Sequence, residues 1–335
     1  MRFSSDQNQV GLYYESGTYG NPTGTLPKWI GQVTTHEPEE NENLIELRHL
    51  GTASRNVDSF VAGQQEVGGT LTFRPQDFRF IGLFLGSITN SATASATKLN
   101  YSEVNNGQRL NAFTSGTLNP MISFSLEDSK SVGTAGSNFV RTIKGCNVNT
   151  LNISIDPGVP VEVEAAYIAQ SVAFSSGTPG VLTANTDRPF MWSDCTVQLP
   201  GGTTLEAVKT ARFIGANGTE RSMYVGSGRA SDVPAPLNRV YTMNITKDMT
   251  AETAKSLYDQ YYKGGSAFNM VLDINADLSA PGIGSRHLIA TFSGCKITDM
   301  TEPSAMEGIN EQTFTVRPIT ASAIEYKSSG VSLPW

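Results

Sequence analysis

Few residues in this chain of 335 have the types and spacing that catalysis needs. Its three histidines, His36, His49 and His287, are widely separated and form no HExxH pattern of the kind that binds zinc. His36 lies in an acidic stretch, and His287 follows Arg286 at the start of a predicted strand. No GxSxG sequence is present to carry a serine nucleophile. The histidines and serines therefore predict neither a metal site nor an acid–base site.

The cysteines are equally uninformative for chemistry. Cys146, Cys195 and Cys295 are odd in number and show no CxxC spacing, so neither a disulfide framework nor a zinc site follows. Cys146 and Cys295 each follow a glycine within a predicted strand. One packing role explains both, whereas a catalytic cysteine would not be expected twice. Cys195 has no counterpart in the sequence.

The segment Gly282–Arg286, with two closely spaced glycines, superficially suggests a phosphate-binding loop. It follows Ala280-Pro281 and precedes a strand, however, whereas a phosphate loop lies between a strand and a helix. We interpret it as a hairpin loop. Paired carboxylates for glycoside hydrolysis need no fixed spacing, and nothing singles out a pair here. The sequence predicts no catalytic, cofactor-binding or metal-binding residue, no cofactor and no enzymatic activity.

The amino-acid composition and charge of the chain limit the kinds of partner it can bind. Charged residues make up only 16% of the chain, below the usual ~25%, and the net charge is −7. Because no basic block is present, the chain is a poor candidate for gripping nucleic acid, although an acidic surface can face DNA without binding it. No run approaches the ~20 apolar residues of a membrane span, and the N-terminus has no apolar signal core. We therefore expect synthesis in the cytoplasm and no membrane association.

The elements that must position these residues are mainly strands. Short runs of alternating or β-branched residues, separated by Gly, Pro and Asn, predict an antiparallel β-sandwich or a barrel-like sheet. The predicted strands are 70–73, 122–126, 140–143, 151–155, 161–168, 223–225, 240–245, 268–274, 288–292 and 312–316. One short amphipathic helix is predicted in each half: Asp77 caps the first, which ends at Gly86, and Thr250 caps the second, which ends at Gly264.

The sequence also contains an internal repeat. Phe139–Val148 parallels Leu288–Ile297, with hydrophobic residues in register around a shared Gly-Cys. Weaker matches pair 28–31 with 212–215, 50–55 with 225–229, and 70–77 with 241–248. They predict two tandem modules, 1–175 and 188–335, joined by a linker at 176–187. The repeat predicts packing roles for Trp29, Gly31, Phe213, Gly215, Cys146 and Cys295.

The first copy carries additional acidic material at 36–43. This predicts a loop inserted between the matched segments. Such a loop is either a solvated surface loop or a projection that faces a partner or a passing polyanion.

Three motifs resemble the tail tube proteins of tailed bacteriophages and related archaeal viruses. They are Gly-Thr-x-Ser-Arg at 51–55, Phe-Val-x-Gly-x-x-Glu at 60–66, and Leu-Gly-Ser at 85–87. The two Gly-Cys segments resemble a further element of that family. The resemblance covers nearly the whole chain and carries over no active site.

The resemblance implies sandwich-like modules, each with a flanking helix, whose sheets join edge to edge into rings. The rings stack into a tube through which viral DNA leaves the capsid without specific binding. Because such rings commonly contain six modules, two modules per chain imply three chains per pseudo-sixfold ring. The lumen is expected to be neutral to acidic. Glu37, Glu39, Glu40 and Glu42 are candidates for lumen or ring-stacking positions.

The implied partners are further copies of the chain and other tail proteins: a sheath if the tail contracts, a tape measure, a terminator and a baseplate. The implied location is the virion tail. Two other hypotheses stay open at this stage. One is a different ring-forming component, such as a tail terminator, a spike-base ring or a secretion tube. The other is a carbohydrate-binding or hydrolytic β-sandwich that uses Trp29, Trp192 and Trp335 as a sugar platform, although Trp29 lies in a repeated segment where Phe213 is its counterpart, which favours packing.

Overall fold

The structure is a computed structural model and is almost entirely β, as predicted. It describes residues 8–15, 19–48, 57–93, 96–103, 122–131, 138–199, 202–221, 223, 225, 234, 237–250, 257–276, 286–302 and 310–328. The strands are β1 Asn8–Glu15, β2 Pro22–Lys28, β3 Gly31–Asn41, β4 Ile45–Leu47, β5 Ser59–Val61, β6 Glu66–Pro75, β7 Gly86–Thr93, β8 Ala96–Glu103, β9 Phe124–Lys130, β10 Phe139–Ile155, β11 Glu162–Ala169, β12 Ser171–Ser175, β13 Cys195–Leu199, β14 Thr203–Thr204, β15 Val208–Ala216, β16 Val240–Asp248, β17 Phe268–Asn275, β18 His287–Thr301, β19 Glu311–Arg317 and β20 Thr320–Ser328. The helical segments are α1 Arg79–Leu85, a 3₁₀ turn Trp192–Asp194 and a π-helix Leu257–Lys263.

The strands form three antiparallel sheets and a separate ribbon. The long sheet has the order β3-β6-β11-β10-β15-β16-β19-β18. The first outer sheet is β2-β1-β9-β10-β12, and the second is β7-β8-β20-β18-β17-β13-β14. Within the described residues, β4 and β5 pair only with each other. Since β10 and β18 contribute to both an outer sheet and the long sheet, they tie the two layers of the sandwich together.

Each of these two shared strands changes sheet at its Gly-Cys pair. Gly145 has φ 67° and Gly294 has φ 64°, a left-handed conformation that glycine adopts without steric cost. The ladder is irregular at both points, as expected for a β-bulge that bends a strand. The thiols of Cys146 and Cys295 point inward, 3.6 and 3.4 Å from the carbonyl oxygens of Ile143 and Phe292. The two cysteines thus have matching packing positions.

The pairing order of the long sheet occurs twice. The order β3-β6-β11-β10 is followed by β15-β16-β19-β18 with the same directions. Irregularities also correspond: Val33/Thr35 matches Val208/Thr210, and Val148/Thr150 matches Ile297/Asp299. The ladders therefore align β10 with β18 at an offset of 149 residues and β3 with β15 at an offset of 175.

This alignment corrects two matches made from the sequence. Gly31 pairs with Pro75 at the start of β3, whereas Gly215 pairs with Tyr241 near the end of β15, so 28–31 and 212–215 occupy different levels. The strand pairing also makes Thr70 of the first half equivalent to Asn244 of the second half, whereas the sequence match had aligned Thr70 with Tyr241. A run of alternating apolar residues matches itself at several shifts, so it cannot fix register without the partner strand.

The halves differ around their helical segments. α1 ends at Gly86, which has φ 98°, as predicted. Its N-cap is Phe78 and no side chain caps it; Asp77 instead accepts a hydrogen bond from the Arg79 backbone N–H at 3.2 Å. The β7–β8 hairpin follows α1 and pairs with β20, which belongs to the C-terminal half.

In the C-terminal half, the chain runs from the π-helix to β17 within a few residues. The predicted helix start at 251–256 lies outside the described residues, and Gly264 follows the last π-helical residue. Tyr261 packs on Phe268 with ring centroids 4.6 Å apart. Neither α1 nor the π-helix has the length and apolar character of a membrane span.

The core lies between the long sheet and the outer sheets, and α1 fills it where the halves meet. Phe84 of α1 packs edge-on against Tyr241 of β16, with centroids 6.2 Å apart. The buried apolar residues of both halves form one cluster. Burial of this shared cluster holds the halves together, because each buried Leu- or Phe-sized side chain contributes roughly 1.5–3 kcal/mol.

Candidate assembly surfaces

The acidic segment is an edge strand, not the predicted loop. Residues 36–41 belong to β3 and pair with β6. Glu37 and Glu39 lie on the face of the long sheet that points away from the core, opposite Thr70 and Gly68. Because this face is open, the carboxylates stay hydrated while the backbone remains in the sheet. A polar strand of this kind has no hydrophobic pattern that would distinguish it from a loop.

The other two candidate glutamates lie at the end of β3. Glu40 is exposed and accepts a hydrogen bond from Gln65 Nε2 at 2.8 Å; the same amide lies 3.4 Å from Glu42 Oε1. The structure therefore separates the four glutamates into an outward-facing pair, Glu37 and Glu39, and a pair at the end of β3 that Gln65 joins.

His36 points to the opposite face of β3 and is buried. Its Nε2 lies 2.8 Å from the hydroxyl of Tyr167, and its Nδ1 lies 3.7 Å from the carboxylate of Asp128. Burial lowers the pKa of His36 to about 4, although Asp128 opposes the shift. The imidazole is therefore neutral at physiological pH.

The outward face of the long sheet is rich in threonine. Its threonines are Thr35, Thr70, Thr72, Thr150, Thr210, Thr242, Thr246, Thr301, Thr313 and Thr315. Its carboxylates are Glu37, Glu39, Glu162, Glu164, Asp248, Asp299 and Glu311. Its cationic groups are Arg74, Lys209, Arg212, Lys296 and Arg317. Among the described residues, carboxylates outnumber cations, so this face is neutral to acidic.

The two halves of the long sheet meet in a seam between β10 and β15. Six residue pairs form this internal seam, from Thr150 opposite Ala216 to Ile155 opposite Ala211. Arg212 Nε donates a hydrogen bond to Asn152 Oδ1 at 2.8 Å across it. At its end, Asn217 Nδ2 donates to the Val148 carbonyl at 2.9 Å. The chain therefore joins one four-stranded unit to the next by edge-to-edge pairing.

The long sheet ends in two open edges. β3 pairs only with β6, and the second half of β18 pairs only with β19, within the described part of the chain. An open edge presents free backbone N–H and C=O groups to another strand. On β3, the exposed glutamates, Pro38 and the irregularity at Val33/Thr35 are features that discourage indiscriminate pairing.

The β4–β5 ribbon carries a concentration of exposed apolar side chains. They are Leu44, Ile45, Leu47, Phe60 and Val61, all more than 40% exposed. Clustered apolar exposure on one small projection is typical of a protein–protein contact. The ribbon connects β3 to β6, next to the open edge.

A buried polar cluster joins the halves near α1. Asp77 Oδ2 pairs with Arg79 Nη2 at 2.6 Å, and Arg79 Nη1 donates to the Tyr14 hydroxyl at 2.7 Å. Glu325 of β20 accepts hydrogen bonds from the Phe78 backbone N–H and the Tyr101 hydroxyl. Burial raises the pKa of Asp77, but the charges of Arg79 and Lys327 outweigh it and leave the pKa well below its ordinary value. The members of this cluster pair with one another across the two halves, and this pairing holds the halves together.

The cysteines and His287 have the following surroundings in the described part of the chain. Burial raises the pKa of the Cys146 thiol, that of Cys295 to about 11 and that of Cys195 to about 12, so the thiols are protonated. His287 Nε2 lies 2.6 Å from Asp273 Oδ1. Where the chain is described, no three His, Cys, Asp or Glu residues come together to hold a metal.

The remaining predicted residues are dispersed. Trp29 is half-buried and donates its Nε1–H to Gln76, whereas Trp192 is exposed. Phe213 packs against Phe292 with centroids 5.1 Å apart, and a Cβ on Gly215 would meet the Phe84 ring at 2.5 Å. His49, Trp335 and 282–285 lie outside the described residues.

An extended antiparallel sheet with two open edges, joined internally by an edge-to-edge seam, defines a structural β-protein suited to assembly through its strands. The chain belongs to the phage tail tube proteins: a family model described as "Phage tail tube protein" matches residues 5–318. A comparison with curated proteins finds no match. The chain is therefore a structural tail tube protein and a component of the virion tail.

Proposed function

We propose that three copies of this chain close into a ring, and that the rings stack into a hollow, non-enzymatic tube through which viral DNA passes. The observation that carries the proposal is the internal seam between β10 and β15. It supports the proposal because one four-stranded unit pairs there with the next, while β3 and the second half of β18, at the two ends of the long sheet, have no further strand partner within the described residues.

The repeated pairing order supports a duplicated module. Residues 1–175 and 188–335 are the proposed modules, and 176–187 is the proposed linker. A head-to-tail contact that closes gives a ring. If six units complete the ring, as the family resemblance implies, each chain supplies two and three chains are needed. Three sheets of eight strands each would then form a wall of 24 strands.

The outward face of the long sheet is the proposed lumen. Its threonine hydroxyls are neutral, and its excess of carboxylates repels phosphates, so DNA slides without being held. Glu37 and Glu39 lie on this face. Glu40 and Glu42 lie where β3 leads into the ribbon, so Glu40 borders both the open edge and the proposed contact between rings, and Glu42 is proposed for the contact between rings.

The β4–β5 ribbon is the proposed ring-to-ring contact. Its apolar side chains would lose their exposed area against the next ring, a favourable change of roughly 25 cal/mol per Å² of apolar surface. Other proposed contacts of the assembled tube are a terminator, a tape measure, a baseplate and, in a contractile tail, a sheath. Synthesis would take place in the host cytoplasm before assembly.

Negative-stain microscopy of the purified chain tests the proposal. We expect hollow tubes from the unaltered chain, and single rings from an Ile45→Ser/Phe60→Ser variant. Val181→Ser, an exposed apolar position outside the ribbon, should leave the tubes unchanged. Compact monomers at every protein and salt concentration would contradict the proposal. Rings that never stack would instead favour a tail terminator or a related single-ring component.

A further inference from the structure

The two halves of the long sheet provide a template for a contact between chains. In the internal seam, Asn152 lies opposite Ile214 and Thr150 lies opposite Ala216. The position in β18 that corresponds to Asn152 is Thr301, at an offset of 149 residues. The position in β3 that corresponds to Ile214 is Glu39, at an offset of 175. Matching irregularities in both strand pairs fix these offsets to the residue.

We infer that β18 of one chain pairs antiparallel with β3 of the next, with Thr301 opposite Glu39 and Asp299 opposite Asn41, and that salt promotes this pairing. The inference rests on the proposed ring, but it specifies the register and the electrostatics of the contact. The same template places Met300 opposite Glu40.

The proposed seam between chains carries more negative charge than the internal seam. Where the internal seam has Arg212, Ile214 and Gly215, β3 has Glu37, Glu39 and Glu40. Where the internal seam has Thr150, β18 has Asp299. Each replacement adds negative charge to the contact between chains. Like charges on facing strands destabilise pairing, and added salt screens them.

This arrangement has a consequence for assembly. The internal seam forms without charge opposition as the chain folds. The seam between chains carries carboxylates on both strands, so closure is held back until the charges are screened or contacts elsewhere compensate. The glutamates of β3 therefore disfavour premature edge-to-edge pairing by electrostatic repulsion.

Cross-linking between two differently labelled chains tests the register. Chains carrying Thr301→Cys are mixed with chains carrying Glu39→Cys, both in a Cys195→Ser background, assembled, and treated with a short bismaleimide. Facing residues lie roughly 5 Å apart across a sheet, so we expect a covalent dimer. Thr35→Cys is the off-register partner, since it lies about 13 Å farther along the strand, and it should give little dimer. Asn152→Cys/Ile214→Cys in one chain is the internal positive control.

The outcomes separate the register from the ring. Tubes in which Thr301→Cys cross-links to Thr35→Cys but not to Glu39→Cys would overturn the register and leave the ring standing. If the internal control cross-links but no tubes and no covalent dimers form, both the register and the ring fail.

The electrostatic half of the inference has its own test. The critical concentration for assembly of the unaltered chain should fall as NaCl rises. At low salt, Glu39→Gln/Glu40→Gln should lower it roughly 1.4- to 5-fold, because Glu39 is the diagonal neighbour of Asp299 in this register and its neutralisation removes one like-charge contact between the facing strands. Glu162→Gln/Glu164→Gln removes the same charge from β11, in the interior of the sheet, and should have a smaller effect. Salt that weakens assembly, or equal effects of the two variants, would overturn this part.

Discussion

Arg212 and Asn152 come from different halves of the chain, yet the guanidinium Nε of one donates to the amide Oδ1 of the other at 2.8 Å. The bond crosses the internal seam on the outward face of the long sheet. At the corresponding positions of the open edges, Glu37 replaces Arg212 and Thr301 replaces Asn152. The internal seam is thus fastened by a guanidinium–amide hydrogen bond that the proposed seam between chains does not reproduce.

Arg212→Glu should weaken the internal seam. A carboxylate cannot donate to Asn152 Oδ1, so we expect the free energy of unfolding in urea to fall by about 1–2 kcal/mol. Arg317→Glu makes the same charge change on the same face, away from the seam, and should cost less. Equal losses in the two variants would show that net charge, and not the hydrogen bond, is responsible.

Gly145→Ala should be strongly destabilising. The left-handed φ of Gly145 costs an alanine about 1–2 kcal/mol. Its Cβ would also lie 2.8 Å from Gln170 Cβ, and overpacking adds about 1–3 kcal/mol. Gly158→Ala has a similar φ of 81° and open space around it, so it isolates the backbone cost. If urea denaturation finds equal losses in the free energy of unfolding for the two variants, the expected steric cost at Gly145 would be refuted.

Stability should fall between neutral pH and pH 4.5 because of His36. Its pKa is about 4 in the folded chain and 6.5 in the unfolded chain, so the unfolded chain binds the proton first. The stabilisation is present above pH 6.5 and is lost as the pH falls toward 4. We expect a loss of about 2–3 kcal/mol by pH 4.5, measured by urea titration of the monomer.

His36→Gln is the control for this pH dependence. Its side-chain amide can still bond to Tyr167 but does not titrate. The variant should show a flatter stability profile between pH 7 and pH 4.5. An unchanged slope would assign the pH dependence to other groups.

Asp77→Ala should be far more costly than the loss of an exposed ion pair. It leaves the buried charge of Arg79 without its main partner, which typically costs about 3–5 kcal/mol. Arg48→Ala breaks the exposed pair with Glu46 and should cost at most about 1 kcal/mol. Thermal denaturation of both variants would measure the difference, and a mild Asp77→Ala would contradict the structural role of the cluster.

The sequence predicted the strands that carry a strong apolar pattern. β6, β10, β11, β16, β17, β18 and β19 were all expected, and the two Gly-Cys bulges identified β10 and β18 as counterparts. By contrast, Met223 and Val225 are not in a strand. The polar strands were missed because a strand with one open face, such as β3, needs few apolar residues.

Register and edges depend on partners that are distant in sequence. The match of 28–31 to 212–215 failed because local alternation leaves the shift undetermined. The burial of His36 also escaped prediction, since the acidic residues around it gave no sign that one face of the strand meets the core. The open edges, which carry the proposed assembly, became visible only once every strand had its neighbours.

In the proposed tube, the open edges of the long sheet close between chains. Cryo-electron microscopy of assembled tubes, at a resolution that separates individual strands, tests this closure most directly. We predict threefold symmetry and an unbroken wall in which β18 of each chain lies beside β3 of the next. Rings of a different symmetry, or walls in which these two edges face solvent, would contradict the account.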